Sequence, residues 1–143
     1  MADAIVRGKI NNFNKADFNT SLTCRNSVPY GSITGEIETG GLGGRFTRFS
    51  FRSSSPSRII ARKAGITRYV YAVFGRVALI NRRTGFTINN ARIVLTARKN
   101  VNGRRSATLT IYRPGQNTLR VSGFLENGRV FVGRNVSCQL LLQ

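Results

Sequence analysis

The sequence predicts an all-β fold: a single β-sandwich domain, jelly-roll-like, of about nine to eleven short antiparallel strands with no substantial helix. Three observations lead there. Apolar residues recur at every second position through most of the chain, the period of a strand with one buried face. Turn residues interrupt these runs at intervals of about eight to twelve residues. The 143 residues, 41% hydrophobic, can bury one real core, and no break in composition marks a second domain.

The elements follow in chain order. Residues 1–10 are a candidate strand, but Asn11 to Asn26 is polar and irregular and leaves the register of the first 30 residues open. Gly31 to Thr39 places Thr34, Glu36 and Glu38 on one face. Gly40 to Gly44 is a flexible connection, because it lacks the Lys-Ser/Thr ending and following helix of a phosphate-cradling loop. In Thr47 to Arg52, Phe49 and Phe51 oppose Arg48, Ser50 and Arg52, and Ser53 to Ser57 is a second loop. Tyr69 to Ile80 is apolar on both faces and twice the usual strand length. It reads as a central strand covered on two sides, with a bulge or a change of sheet near Gly75. Ala91, Ile93, Leu95 and Ala97 alternate with Arg92, Val94, Thr96 and Arg98, and Ala107, Leu109 and Ile111 continue the pattern. Asn127-Gly128 is the strongest hairpin signal, since a type I′ turn requires positive φ at both positions. Val136, Cys138, Leu140 and Leu142 then share a face. The expected core is Phe49, Phe51, Val73, Val77, Ile93, Leu95, Leu109, Ile111, Val121, Val130 and Leu140.

Composition excludes most catalysis. There is no histidine, hence no ordinary general base near neutral pH and no Ser-His pair. The five acids (Asp3, Asp17, Glu36, Glu38 and Glu126) are too scattered for a carboxylate-rich cation site. Cys24 and Cys138 cannot make a four-ligand zinc site and read as two separate reduced thiols. The expectation is a non-enzyme with no cofactor and no bound metal. No apolar run approaches a membrane span and residues 1–10 do not form a signal h-region, so synthesis in the cytoplasm without membrane association is expected.

The charge is the strongest functional signal. Lys plus Arg is 23 against 5 acids, a net charge of +18, and nineteen of the cations are arginines. A solvated surface would intersperse both signs, so the missing acids point to an anionic partner. Guanidinium forks grip phosphate bidentately and stay charged everywhere. The candidate polyanion-binding residues are Arg45, Arg48 and Arg52 on one strand and Arg92 and Arg98 on another, with Arg82, Arg83, Arg104 and Arg105 at two turns. Phe46, Tyr112 and Phe124 are the rings expected to face outward, and no RNA-recognition sheet motif, KH loop or zinc knuckle accompanies them.

Two segments, 1–10 and 136–143, are candidate inter-subunit strands, with Ile5, Arg7, Glu36, Glu38, Leu140 and Leu142 as candidate subunit contacts. The acidic pair Glu36 and Glu38 would meet either arginines of a neighbouring strand or those of another copy. With its short strands and paired hairpins over Ser106 to Leu142 and its late Cys138, the chain resembles small jelly-roll subunits of virus shells, phage decorations and spore-surface filaments. That resemblance implies a structural subunit that self-assembles into a capsid, capsid decoration or filament and ends in a virion or other extracellular assembly. Its partners would be other copies of itself and an acidic lattice or nucleic acid. The alternatives are a sequence-nonspecific nucleic-acid-binding β-barrel and a polyanionic carbohydrate-binding module.

Overall fold

A computed structural model describes residues 2–40 and 46–141. Ten strands run β1 (Ala4–Asn11), β2 (Lys15–Arg25), β3 (Val28–Gly40), β4 (Phe46–Ser53), β5 (Ser55–Ala64), β6 (Thr67–Asn81), β7 (Thr87–Lys99), β8 (Arg105–Tyr112), β9 (Leu119–Val132) and β10 (Val136–Gln139). Among the described residues there is no helix.

The strands are antiparallel throughout, but they do not form a sandwich or a jelly roll. β1 to β4 are neighbours in sequence order, β6 to β9 likewise, β4 pairs with β6, and β9 returns to β1. The β6–β7 ladder closes the ring, and β5 and β10 extend from the edge of β6 outside it. The result is a closed eight-stranded barrel with up-and-down connections. Alternation specifies only that each strand buries one face, which a sandwich and a barrel satisfy equally. Several strands are also longer than expected, reaching 15 residues in β6 and 14 in β9.

Closure depends on β6. Its first part, Thr67 to Gly75, pairs with β5, and its last residues, Ala78 to Asn81, pair with β4. β4 and β5 therefore lie end to end along one edge of β6. The break falls at Gly75–Arg76, where Arg76 has φ 48 and the register to β7 shifts; this is the expected bulge, whereas β6 changes neighbour within one sheet and does not change sheets. The outer face of β6 departs from expectation. Tyr69, Tyr71 and Val73 are only half-buried, and among the described residues no second layer covers them.

Inward-facing side chains fill the barrel. Phe49, Phe51, Val77, Ile93, Leu95, Leu109, Ile111, Val121 and Val130 are buried as expected. Val73 belongs to the outer face of β6, and Leu140 lies beyond β10 with 49% exposure. Gly35 lies between its cross-strand partners Phe18 and Phe51, and a Cβ there would sit 2.8 Å from Phe51 Cζ.

Two sequence readings are corrected by local backbone. Asn127-Gly128 is not a hairpin. It lies inside β9, where Asn127 takes φ 49 and the register to β1 shifts opposite Gly8. A left-handed residue serves a bulge as well as a turn, and here it bends the strand around the barrel. The tight turn occurs instead at Asn26-Ser27, both at positive φ, between the paired residues Arg25 and Val28.

Cys24 and Cys138 form a disulfide, with Cα atoms 5.9 Å apart, which corrects the reading of two free thiols. It ties β10 to the end of β2, while the other edge of β10 pairs with β5. β1 is paired on both sides, by β2 and β9, so it offers no free edge for strand addition. Any role for residues 1–10 between subunits falls to the outward side chains of β1, which include Ile5, Arg7 and Lys9.

Candidate polyanion-binding face

The outer surface of β5 to β9 is a continuous sheet face whose rungs follow from the register. One rung reads Arg62, Tyr69, Arg98, Ser106 and Phe124. The next reads Ile60, Tyr71, Thr96, Thr108 and Ser122, and the third Arg58, Val73, Val94, Thr110 and Arg120. Arg92 and Tyr112 face each other one step further along. Strand alternation turns all of these outward because their neighbours, such as Val70, Ala72, Leu95 and Leu109, fill the core.

Arginines and rings are interleaved at contact distance. Arg98 lies 5.2 Å from the centre of Tyr69, Arg58 5.7 Å from Tyr71, Arg92 4.7 Å from Tyr112 and Arg104 5.2 Å from Phe124. Such stacking orients the guanidinium planes and leaves their edges for phosphate. Between them runs a hydroxyl row in which Thr108 Oγ1 and Ser122 Oγ are 2.9 Å apart. No acidic residue lies between Glu38 and Glu126, so none stands on β4 to β8.

The acids collect on the other side. Asp17, Glu36, Glu38 and Glu126 line an open cavity of about 470 Å³ with Lys9 and Arg48. Arg48 Nη2 is 3.5 Å from Glu38 Oε1, Lys9 Nζ 4.0 Å from Asp17 Oδ2, and Ser50 Oγ donates to Glu36 Oε1 at 3.4 Å. Glu36 and Glu38 thus find partners on β4 of their own chain. In the ring order, β1 to β3 stand across the barrel from β6 to β8. The molecule has a basic side and a mixed, acid-bearing side.

The structure divides the sequence-derived arginines. Arg92, Arg98 and Arg104 belong to the basic face, and Arg105 opens β8 at the same end as Arg104. Arg48 is engaged with Glu38. Arg52 is exposed on β4 opposite Ala78, and Arg82 and Arg83 occupy the β6–β7 turn at the far end of β7 from Arg104 and Arg105. Arg45 and Leu142 lie outside the described residues. Arg113 is structural: it donates to Asn117 O and Gln116 Oε1 and stacks on Phe49, and burial lowers its pKa from the ordinary arginine value.

Arg58, Arg62, Tyr69, Tyr71 and Arg120 were not identified from the sequence. Their signal was the spacing of Tyr69 and Tyr71 around Val70, masked because both faces of that strand read as apolar. Comparison with protein families, curated proteins and solved structures gives no match to this chain.

Proposed function

We propose that this chain is a non-enzymatic, sequence-nonspecific nucleic-acid-binding barrel that holds a single strand along the outer face of β5 to β9. The observation that carries the reading is the interleaving of Arg58, Arg62, Arg92 and Arg98 with Tyr69, Tyr71 and Tyr112 on β5 to β8, strands that carry no carboxylate. Arginines would neutralise backbone phosphates, and the tyrosines and Phe124 would stack bases whatever their identity. The hydroxyl row adds hydrogen-bonding groups without a donor–acceptor code for one base. Sulfated or uronic sugars would engage the arginines but leave the four rings without planar bases to stack on.

Fluorescence anisotropy with labelled single strands of dT, dA and mixed sequence tests this. Binding should be similar for all three, fall steeply with salt, and weaken on Tyr69→Ala, Tyr71→Ala and Arg98→Gln while the melting temperature holds. Binding of heparin with no binding of any oligonucleotide overturns the reading.

The second reading, a self-assembling structural subunit, draws on one observation: the acid-bearing side of β1 to β3 is complementary in charge to the basic side. A basic face seated on the acidic strip of the next copy is a heterologous contact, which builds rings or filaments. Sedimentation of nucleic-acid-free protein at low salt separates the two readings, since large particles would favour assembly.

A further inference from the structure

The end of the barrel where β5 finishes and β6 begins carries an unusual rung. Lys63 is paired with Arg68, Arg68 with Lys99, and Lys99 with Arg105. Four cations stand side by side on four adjacent strands, and like charges directly opposite one another repel. By alternation they fall on the inner face, one step beyond the buried rung of Ala61, Val70, Ala97 and Ala107. That last core layer is mostly alanine. Arg68, Lys99 and Arg105 are half-buried, and among the described residues none of the four has an acidic partner within ion-pair distance.

Two members of the rung, Arg68 and Lys99, line a cleft of about 640 Å³ between the β5–β6 and β7–β8 turns, together with Arg62, Tyr69, Arg98 and Asn102. Arg68 is fixed there: its Nη1 donates to the carbonyls of Gly65 and Thr67 at 2.7 and 2.8 Å, which leaves Nε and Nη2 for a ligand. Lys63 is partly engaged, donating to Gly133 O at 2.9 Å. Partly desolvated cations held in opposition, without a carboxylate, require a compact anion of more than one charge. The cleft also joins the outer rung of Arg62, Tyr69 and Arg98, where the proposed strand would lie.

From this we infer that the cleft is a terminal-phosphate site, taking the monoester dianion at the end of a nucleic-acid strand whose body lies on the β5 to β9 face. The source of that phosphate rests on the nucleic-acid reading; the affinity of the cleft for a phosphate dianion does not. A terminal monoester carries one more charge than an internal diester and so gains more from paired cations without a carboxylate beside them.

The test compares 5′-phosphorylated, 3′-phosphorylated and unphosphorylated oligo-dT by anisotropy, and pyrophosphate alone by calorimetry, on the intact protein. One terminal phosphate should tighten oligonucleotide binding about tenfold. Lys99→Gln should remove that preference and the pyrophosphate signal, whereas Arg25→Gln, on β2 away from the cleft, should change neither. Pyrophosphate binding abolished by Lys99→Gln, with no oligonucleotide binding, would sustain the dianion site and overturn the strand as its source. Oligonucleotide binding indifferent to terminal phosphate, with no pyrophosphate binding, would overturn the cleft and leave the face intact.

Discussion

Arg134 clamps Asp3 with two hydrogen bonds, Nε to Oδ1 at 2.6 Å and Nη2 to Oδ2 at 3.2 Å. The same carboxylate accepts the Cys24 N–H at 2.9 Å, and Arg134 Nη2 donates to the Cys24 carbonyl at 2.9 Å. Three distant segments, the residue before β1, the end of β2 and the approach to β10, therefore meet beside the disulfide. The hydrogen bond from Arg134 is the main cause that holds the Asp3 carboxyl below its ordinary value of 3.8, against the desolvation that would raise it.

A depressed carboxylate pKa makes stability pH-dependent with a fixed sign. The contribution of Asp3 is complete above its unfolded value and is lost as pH falls through the lower folded one. Urea unfolding of the wild type should weaken on acidification below about pH 4, and Asp3→Asn should lose less over the same range. Asp3→Ala at pH 7 should cost about 1–3 kcal/mol, because it strands the buried Cys24 N–H. An unchanged midpoint would show that the clamp is inert.

The disulfide closes a loop of 114 residues and anchors a strand of only four. On the chain-entropy account, its reduction should cost roughly 4–5 kcal/mol. Urea midpoints with and without a phosphine reductant measure it, and the Cys24→Ala/Cys138→Ala pair should match the reduced wild type. Equal midpoints with and without reductant would contradict the expected tether.

Leu95 and Val73 stand on opposite faces of adjacent strands, one fully buried and one half-exposed. Leu95→Ala and Ile111→Ala should each destabilise by about 2–5 kcal/mol. Val73→Ala should cost well under that, about 1 kcal/mol or less. The reverse ranking in chemical denaturation would mean that the barrel register is shifted by one residue.

Deleting residues 1–7 removes Ala4 and Val6 from the core and breaks ladders to two strands at once. The truncated chain should lose its cooperative unfolding transition and its near-ultraviolet circular dichroism. A folded product would contradict the internal position of β1.

The alternation at Leu95 and Ile111 was legible because one-sided burial writes a period of two into any strand. Closure was not, because the pairings of β6 with β4, β5 and β7 are contacts between distant positions that leave no local pattern. Asn127 was recognised as left-handed, but that conformation alone does not distinguish a turn from a bulge. Cys24 and Cys138 gave no clue to each other across 114 positions. The arginine excess was evident from composition, yet the rings beside it were hidden. Tyr69 and Tyr71 look like core residues until the barrel turns them outward.

The separation of charge around the barrel makes orientation a property of the molecule. On any flat anionic surface the molecule experiences a torque that brings β6 and β7 down and lifts β1 to β3 away. A coated surface then displays the carboxylates of Asp17, Glu36 and Glu38 in place of the original anions. Lys9, Lys15 and Arg48 stand among those carboxylates, so the coat attracts a further copy far less than the bare surface did, and rising salt strips a second layer before the first.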